Sequence, residues 1–469
     1  MSVPTMPAKI ISNQALTKKA GPAATNPKKS RIFASLSEQA RGCAHLLTRW
    51  RAQGYPFQAA NVTQEAMGRN GRDLRPWIPR LEEDADAVDA AQLPAPHAAT
   101  PSGKARARSL GIPFAGTPGQ WNAITDVAGV EVGYTTLIEG RMVRTGVTAI
   151  HPRGQAGAAD PVAAGFFSQN GNGEMTGVSW IEESGTFCGP VAITNTYAVG
   201  VAHAAIIAWA VRHHPRLTAA WLLPVAAETW DGYLNDINGH HVTEPAAVAA
   251  LEAAAAGPVE EGSVGGGTGM NCYQFKGGNG TASRLVHYGG TTYTVGVFLQ
   301  ANFGSRTELT LAGVPLGGVL AADNPMAEHA GGPAGAGSVI AVVATDAPLI
   351  PNQCKAMARR VTLGLARTGT AGSHFSGDLF LAFSTANPGG FSPHAADAHS
   401  GAQGPLGRLT FIPWAFVDPF YAAVVQAVEE AVANALVANE EMVGRDGHRT
   451  PALPRDRVVG LFRSRRHEA

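Results

Sequence analysis

Five short apolar runs, GVEVGYTTL, PVAITNTY, TYTVGVFLQANF, SVIAVVATD and LFLAFSTAN, are interspersed with long alanine-rich segments, and this mixture is the strongest restriction on the fold. Runs that stay apolar at successive positions suit strands whose faces are mostly buried, not strands with one wet face. Three segments carry helical spacing instead: VGVAHAAIIAWAVRHH, NQCKAMARRVTLGLART and DPFYAAVVQAVEEAVANALVANEE. The last opens with Asp418 as N-cap and Pro419 at the first helical position. Strands and long helices without a regular strand-helix-strand alternation predict sheets stacked face to face with helices outside, not a doubly wound parallel sheet. The expected fold class is an α/β layered sandwich.

Composition narrows the function. At 469 residues and 45% hydrophobic content the chain can bury one large core or several smaller ones. Lys plus Arg and Asp plus Glu number 36 each, so no global field draws in nucleic acid or an anionic membrane, and small neutral ligands fit better. Cys43, Cys188, Cys272 and Cys354 are scattered, without a CxxC pair or a His/Cys cluster, which speaks against a disulfide framework and a structural zinc site. The first 32 residues hold six Lys or Arg and no acid, but no apolar run of the signal or membrane kind. The expected location is the cytoplasm. Composition shifts near residue 108. Residues 1–107 hold a basic arm, a helix expected around SLSEQARGCAHLLTRWRAQ, the acidic LEEDADAVDAAQ and the linker-like LPAPHAATPSGKARA. They are expected to form an extension, with residues 108–442 as the main domain and 443–469 as a basic tail.

Chemistry concentrates in EEGSVGGGTGM, residues 260–270, where Ser263 follows Gly262 and precedes Gly265, Gly266, Gly267 and Gly269. A phosphate loop of the GxxxxGK[ST] kind fails because no lysine follows the glycines; Met270 and Asn271 stand there. A dinucleotide fingerprint fails too, since the helix-like EPAAVAALEAAAA and a GPVEEG turn precede Ser263 where a strand belongs. Two readings stay open. One is a plain surface turn. The other is a scissile bond: without a Cβ, Gly262 can adopt a strained or positive-φ geometry that brings the Ser263 hydroxyl onto the preceding carbonyl carbon. Attack there converts the peptide into an ester, and hydrolysis leaves Ser263 as a new N-terminus. Its α-amine, titrating at about 7.7–8.0 in unperturbed peptides, then serves its own hydroxyl as base. On this reading the glycines give the bond freedom and a substrate open backbone.

Longer stretches carry a resemblance. SLGIPFAGTPGQWNAITDVAGVEVGYTTL, RTGVTAIHPRG, GNGEMTG, WIEESGT, AITNTYAVG, AETWDGYLNDINGHHV, EEGSVGGGTGMNCYQFKGGNGTASR, QANFGSRTELTLAGVP, ATDAPL and SGDLFLAFSTAN, with the helix from Asp418, cover residues 108–440. Together they resemble the DmpA-type aminopeptidases, the L-aminopeptidase/D-esterase or β-peptidyl aminopeptidase family. The resemblance implies a four-layer αββα sandwich of the N-terminal-nucleophile type. It also implies an inactive precursor cut between Gly262 and Ser263 into α and β chains that stay together. Ser263 is then the nucleophile, Asn235 the oxyanion donor, and Tyr197 a group that polarises the substrate carbonyl or orients the amine. Ser305 and Glu308 orient and buffer the Ser263 amine, with Thr307 able to take the hydroxyl's part.

Read from the residues alone, Asn235 in DGYLNDING also fits an Asx-turn, Tyr197 a core tyrosine, and Ser305 to Glu308 a solvated turn. Asp236 and Asn238 read as turn residues. An aminopeptidase needs an anion for the substrate ammonium; Glu174, Glu182 and Glu183 are the available acids, and Trp180 a wall beside them. His203, His213, His214, His240 and His241 lack HExxH spacing, so neither metal nor cofactor is expected. The expected activity is removal of the N-terminal residue from a small peptide, amide or ester. The expected partners are that substrate and further copies of the cleaved unit, with no nucleic acid or membrane. The alternatives are acyl transfer on an ornithine-acetyltransferase-like fold, whose usual nucleophile is threonine, and an uncleaved homologue without chemistry.

Overall fold

The computed structural model describes residues 93–218, 221–328, 337–391 and 406–468. The basic arm, the helix expected near residues 35–53 and the acidic stretch at 81–92 lie outside them. Ten strands build two sheets: β1 (Glu131–Glu139), β2 (Val143–His151), β3 (Val162–Gly171), β4 (Thr186–Phe187), β5 (Val191–Asn195), β6 (Val225–Thr229), β7 (Gly278–Tyr288), β8 (Thr291–Asn302), β9 (Gly337–Thr345) and β10 (Ser376–Ser384). The four-stranded sheet runs β1-β2-β5-β6 and the six-stranded sheet β4-β3-β10-β9-β8-β7. The helices that matter here are α1 (Val178–Ser184), α2 (Val199–His213), α3 (Glu244–Glu252), α4 (Pro351–Arg367), α5 (Asp418–Val437) and α6 (Arg455–Glu468).

Strand β9 shows why these layers stack. Val339, Ala341 and Val343 point one way into a core shared with Ala358, Val361, Val424 and Val428 of α4 and α5. Ile340, Val342 and Ala344 point the other way, against Ile150, Ile193 and Ala227 of the second sheet. All six are wholly buried. A strand apolar at both parities has no face left for water, and each buried Val or Ile contributes about 1.5–3 kcal/mol. On the far side of the four-stranded sheet, Ala149, Ala192 and Ala226 pack with Ile206 and Trp209 of α2 and Leu251 of α3. The layers are therefore α, β, β, α, as expected. In each sheet one parallel pair, β5 with β6 and β9 with β10, is joined through a helix, α2 or α4, that covers the outer face.

Helix α5 is long and apolar enough to cross a membrane by length and composition, yet it lies buried in the sandwich against β7, β8 and α4. It begins at Asp418 itself, with Val417 at the cap, one residue earlier than its cap signal indicated. Strand β7, GNGTASRLVHY, has no apolar run to announce it. Its polar side chains are buried because each has a partner: Arg284 donates to Glu430 at 2.7 Å, Ser283 to Asp126 at 2.6 Å and Thr281 to the Val297 carbonyl at 2.6 Å.

Packing runs past both expected boundaries. His97 bonds the Gly119 carbonyl at 2.9 Å, Arg106 is 3% exposed, and the Ala107 N–H donates to Asn434 at 2.9 Å. The Pro- and Ala-rich segment before residue 108 is thus part of the folded unit. At the other end, α6 sends Val458 and Phe462 into the α4/α5 core.

Candidate active site

Ser263 sits between the start of the edge strand β7, which Gly262 bridges, and strands β1 and β2, which the glycines after it bond. Gly262 pairs with Asn279 through both backbone groups: its N–H donates to the Asn279 oxygen at 2.8 Å, and the Asn279 N–H donates to the Gly262 oxygen at 2.9 Å. The Val264 N–H donates to that same oxygen at 2.9 Å. The carbonyl of the Gly262-Ser263 bond therefore already holds two N–H donors, the arrangement that stabilises a tetrahedral oxyanion. Gly262 has φ +82°, and an added Cβ would lie 2.2 Å from the Ala438 oxygen, so the position admits only glycine.

The Ser263 Oγ donates to Asn439 Oδ1 at 2.6 Å. Asn439, two residues past α5 and 3% exposed, donates its Nδ2 to the carbonyls of Lys276, Gly277 and Ala435 at 3.2, 3.0 and 2.5 Å. With its amide hydrogens so engaged, its oxygen is left facing the serine. The Gly277 carbonyl also accepts the Lys276 Nζ at 2.8 Å, and Met270 O accepts it at 2.7 Å. Burial pushes the Lys276 amine down to about 7.

The glycines after Ser263 do something other than expected. Gly265 and Gly266 donate their N–H groups to Thr136 and Thr148 at 2.8 and 3.1 Å, and all three of Gly265, Gly266 and Gly267 are buried. A Cβ on Gly266 would lie 2.2 Å from Gln300 Oε1 and 2.6 Å from the Ile193 oxygen. They let the backbone pass close between two sheets; the segment is fixed, not free.

Other expected residues lie differently. Asn235, 1% exposed, accepts the Arg144 N–H at 3.0 Å and donates to Asp231 at 3.1 Å. Asp231 packs behind Gly269 and burial raises its carboxyl to about 7. The donors on the Gly262 carbonyl in the uncut chain are backbone N–H groups, and one Asn235 amide hydrogen goes to Asp231. Tyr197, 52% exposed, stacks its ring on His240 at 6.4 Å, and its N–H donates to Asn195 at 3.1 Å. Glu308 closes the turn at Ser305 as in one half of a capping box: the Ser305 N–H donates to Glu308 Oε2 at 2.8 Å, and the Glu308 N–H donates to the Ser305 backbone carbonyl at 3.0 Å. Thr307 is exposed.

Glu174 is exposed and gives its N–H to Glu228 at 2.9 Å. Glu228, 3% exposed and also bonded to Thr196, is held above the usual carboxylate range by burial. Trp180 and Glu182 ride on α1, which packs on β3 and β4. Ser263 adjoins β7 at the opposite edge of that sheet, four strand spacings of about 4.8 Å from β3, roughly 19 Å away. Glu182 pairs with Lys355 at 2.6 Å on the surface, and Trp180 lines a small cleft with Cys188 and Leu217. The structure does not bring these two to Ser263. Among the described residues no three His, Cys, Asp or Glu side chains gather as a metal site would require.

The description of peptidase family S58 matches residues 122–450. The chain belongs to peptidase family S58. This S58 chain is 47% identical over 381 residues to the β-peptidyl aminopeptidase BapA of Sphingosinicella microcystinivorans, covering 78% of itself and 93% of the relative. It is 45% identical over 387 residues to that of Sphingosinicella xenopeptidilytica, covering 77% and 91%. Its fold is similar to that of the L-aminopeptidase D-Ala-esterase/amidase of Ochrobactrum anthropi, described as a prototype of the serine aminopeptidases and a variant of the Ntn hydrolase fold. The TM-score is 0.71 and the identity 45%, over 77% of this chain and 98% of that one. A β-aminopeptidase of Burkholderia sp. matches with TM-score 0.69 and 42% identity over 76% and 98%. The αββα layers of this S58 peptidase are thus those of an Ntn hydrolase. Asn279 and Asn439, which bond Gly262 and Ser263, and Lys276 behind them carry no mark in the sequence beyond KGGNG, a lysine and an asparagine around two glycines at the start of β7.

Proposed function

We propose that this chain is a self-processing serine aminopeptidase that cuts its Gly262-Ser263 bond and then removes the N-terminal residue from short peptides, amino-acid amides or esters. The observation that carries the reading is the Gly262 carbonyl, held by two N–H donors beside a serine whose hydroxyl is oriented by Asn439. The Ser263 Oγ adds to the Gly262 carbonyl carbon and negative charge falls on the oxygen bonded to Asn279 and Val264. The C–N bond then breaks, the hydroxyl proton ends on the Ser263 nitrogen, and Gly262 is left as an ester on Oγ. Water hydrolyses the ester to a Gly262 carboxylate and a free Ser263 α-amine. In turnover that amine takes the Oγ proton, Oγ attacks the substrate carbonyl, and the leaving amine or alcohol departs with the proton; water then releases the acyl residue.

Identity of 47 and 45% to two β-peptidyl aminopeptidases supports the substrate class. The exposed apolar run Leu406, Leu409, Phe411 and Trp414 supports association of cleaved units into homo-oligomers. Denaturing electrophoresis with N-terminal sequencing tests the first half: two fragments of 262 and 469 − 262 = 207 residues are expected, the smaller beginning at Ser263. The second half is tested with an amino-acid amide and its N-acetylated form. Turnover of the free amine alone is expected, and a single uncut band with no turnover would refute the reading.

A further inference from the structure

We infer that residues 100–106 are a clamp that sets the register of the scissile bond, with Thr100, Ser102, Lys104 and Arg106 as positioning residues for self-cleavage; this rests on the self-processing reading above. Glu260 and Glu261 stand immediately before Gly262. The Glu260 carboxylate accepts Thr100 Oγ1 at 3.0 Å, the Ser102 N–H at 2.9 Å and Ser102 Oγ at 2.8 Å, and pairs with Lys104 Nζ at 3.0 Å. Lys104 also donates to the Glu261 carbonyl at 3.2 Å. The Glu261 carboxylate, wholly buried, accepts Arg106 Nε at 2.7 Å, Arg106 Nη2 at 3.2 Å and the Thr281 N–H at 2.9 Å. From the other sheet the Tyr134 hydroxyl donates to the Glu260 carbonyl at 2.9 Å.

Two consequences follow for the bond. Thr281 lies two residues beyond Asn279 on β7, so its N–H points to the same side as the Asn279 N–H. The Glu261 carboxylate takes that N–H as a neighbouring strand would, which fixes Gly262 opposite Asn279. A slip of one residue would carry the Gly262 oxygen off the Asn279 N–H. The second consequence is electrostatic. Two carboxylates within two residues of a carbonyl oppose the negative charge that must develop on its oxygen, and Lys104 and Arg106 neutralise them in place. Neither effect touches a later substrate, whose carbonyl is not part of this chain.

Arg106 also bonds the carbonyls of Pro96, Trp121, Asn122 and Thr281, so its removal would disturb the fold. The test therefore uses the partly exposed end of the clamp, the double variant Ser102→Ala/Lys104→Ala. Its cleavage time course is compared with wild type, its melting temperature is read in a Ser263→Ala background where nothing is cut, and kcat is measured per cleaved site. Cleavage is expected to slow by about tenfold, within the loss of up to about 100-fold that small displacements of reacting groups produce. Melting temperature and kcat per cleaved site should stay unchanged, and Ser102→Ala/Lys104→Arg should recover much of the rate. A double variant that cuts at the wild-type rate, or whose slowing tracks a fall in melting temperature, overturns the clamp. A wild-type chain that never cuts overturns the self-processing reading and the clamp with it.

Discussion

Replacing Gly262 by alanine tests the scissile geometry most directly. The left-handed backbone at φ +82° costs an L-residue about 1–2 kcal/mol. The new methyl would lie 2.2 Å from the Ala438 oxygen, where ordinary contact begins at 3.4 Å, so one side must retreat by 3.4 − 2.2 = 1.2 Å. Ala438 is built into the end of the buried helix α5, whereas the clamp grips Glu260 and Glu261 and Gly262 itself meets β7 only at its isolated bridge to Asn279, so the Gly262 carbonyl is the side that moves. Its carbonyl then leaves the Asn279 and Val264 donors. A displacement of about 1 Å costs on the order of 100-fold in rate, and loss of one oxyanion donor about 100- to 1,000-fold. Gly262→Ala should therefore cleave at least about 100-fold more slowly than wild type. In a Ser263→Ala background the same change should lower unfolding stability by about 2–5 kcal/mol, the sum of backbone strain and overpacking. The assay is a timed series of denaturing gels from freshly synthesised chain, with Ser263→Ala as the uncut reference. Cleavage within a factor of about 3 of wild type, less than 1 kcal/mol of barrier, would show that the carbonyl is not held as described.

Ser263→Ala should give a folded, uncut and inactive chain with an unchanged melting temperature; peptidase activity in that variant would place the nucleophile elsewhere. Asn439→Ala removes the acceptor that orients Ser263 Oγ and leaves three buried carbonyls short of a donor. Cleavage should slow by about tenfold or more and stability should fall by about 1–3 kcal/mol, both read on the same preparation; normal cleavage would dismiss its orienting role. Asp231 has a folded pKa of about 7, above its unfolded value of 3.8, because burial disfavours the charge. Its contribution is fully present below the unfolded value and is lost as pH rises through about 7. Asp231→Asn should therefore gain on wild type in denaturant midpoint as pH is raised from about 4 to 8; a difference that stays flat across that window would contradict a buried, neutral acid.

The strands easiest to read were those apolar at both parities, such as β9, because burial on two faces leaves no room for polar residues. Strand β7 was hidden by its polar wording: Asn279, Thr281, Ser283 and Arg284 are buried through partners that local sequence does not show. Ser263 drew attention because Gly-Ser ahead of a glycine cluster is unusual in one short stretch. Its surroundings did not, since Asn439 lies 176 positions away. Arg106 looked like linker for the same reason, with Glu261 155 positions on. The glycines of 265–267 suggest flexibility in the sequence, whereas steric crowding demands them: Tyr134 and Thr148 at Gly265, Gln300 and Ile193 at Gly266, and Asn279 at Gly267. Ser305 and Glu308 also carry a local capping pattern, a serine three residues before a glutamate, and the Glu308 carboxylate takes the Ser305 N–H.

The six-stranded sheet places β3, which with its outer neighbour β4 precedes Ser263, beside β10, which follows it, and β3 and β10 register over eight residue pairs. While the chain is whole, that junction closes within one molecule. A cut at Gly262 turns the same junction into an association between two polypeptides, so recovery from denaturant changes from first-order to second-order and the tether's entropic advantage is forfeited. Folding must then be complete before the bond is broken, and the broken form is long-lived only as long as it never comes apart. On the proposed self-cleavage, maturation would act as a ratchet: each molecule would assemble once under conditions that its own chemistry then abolishes.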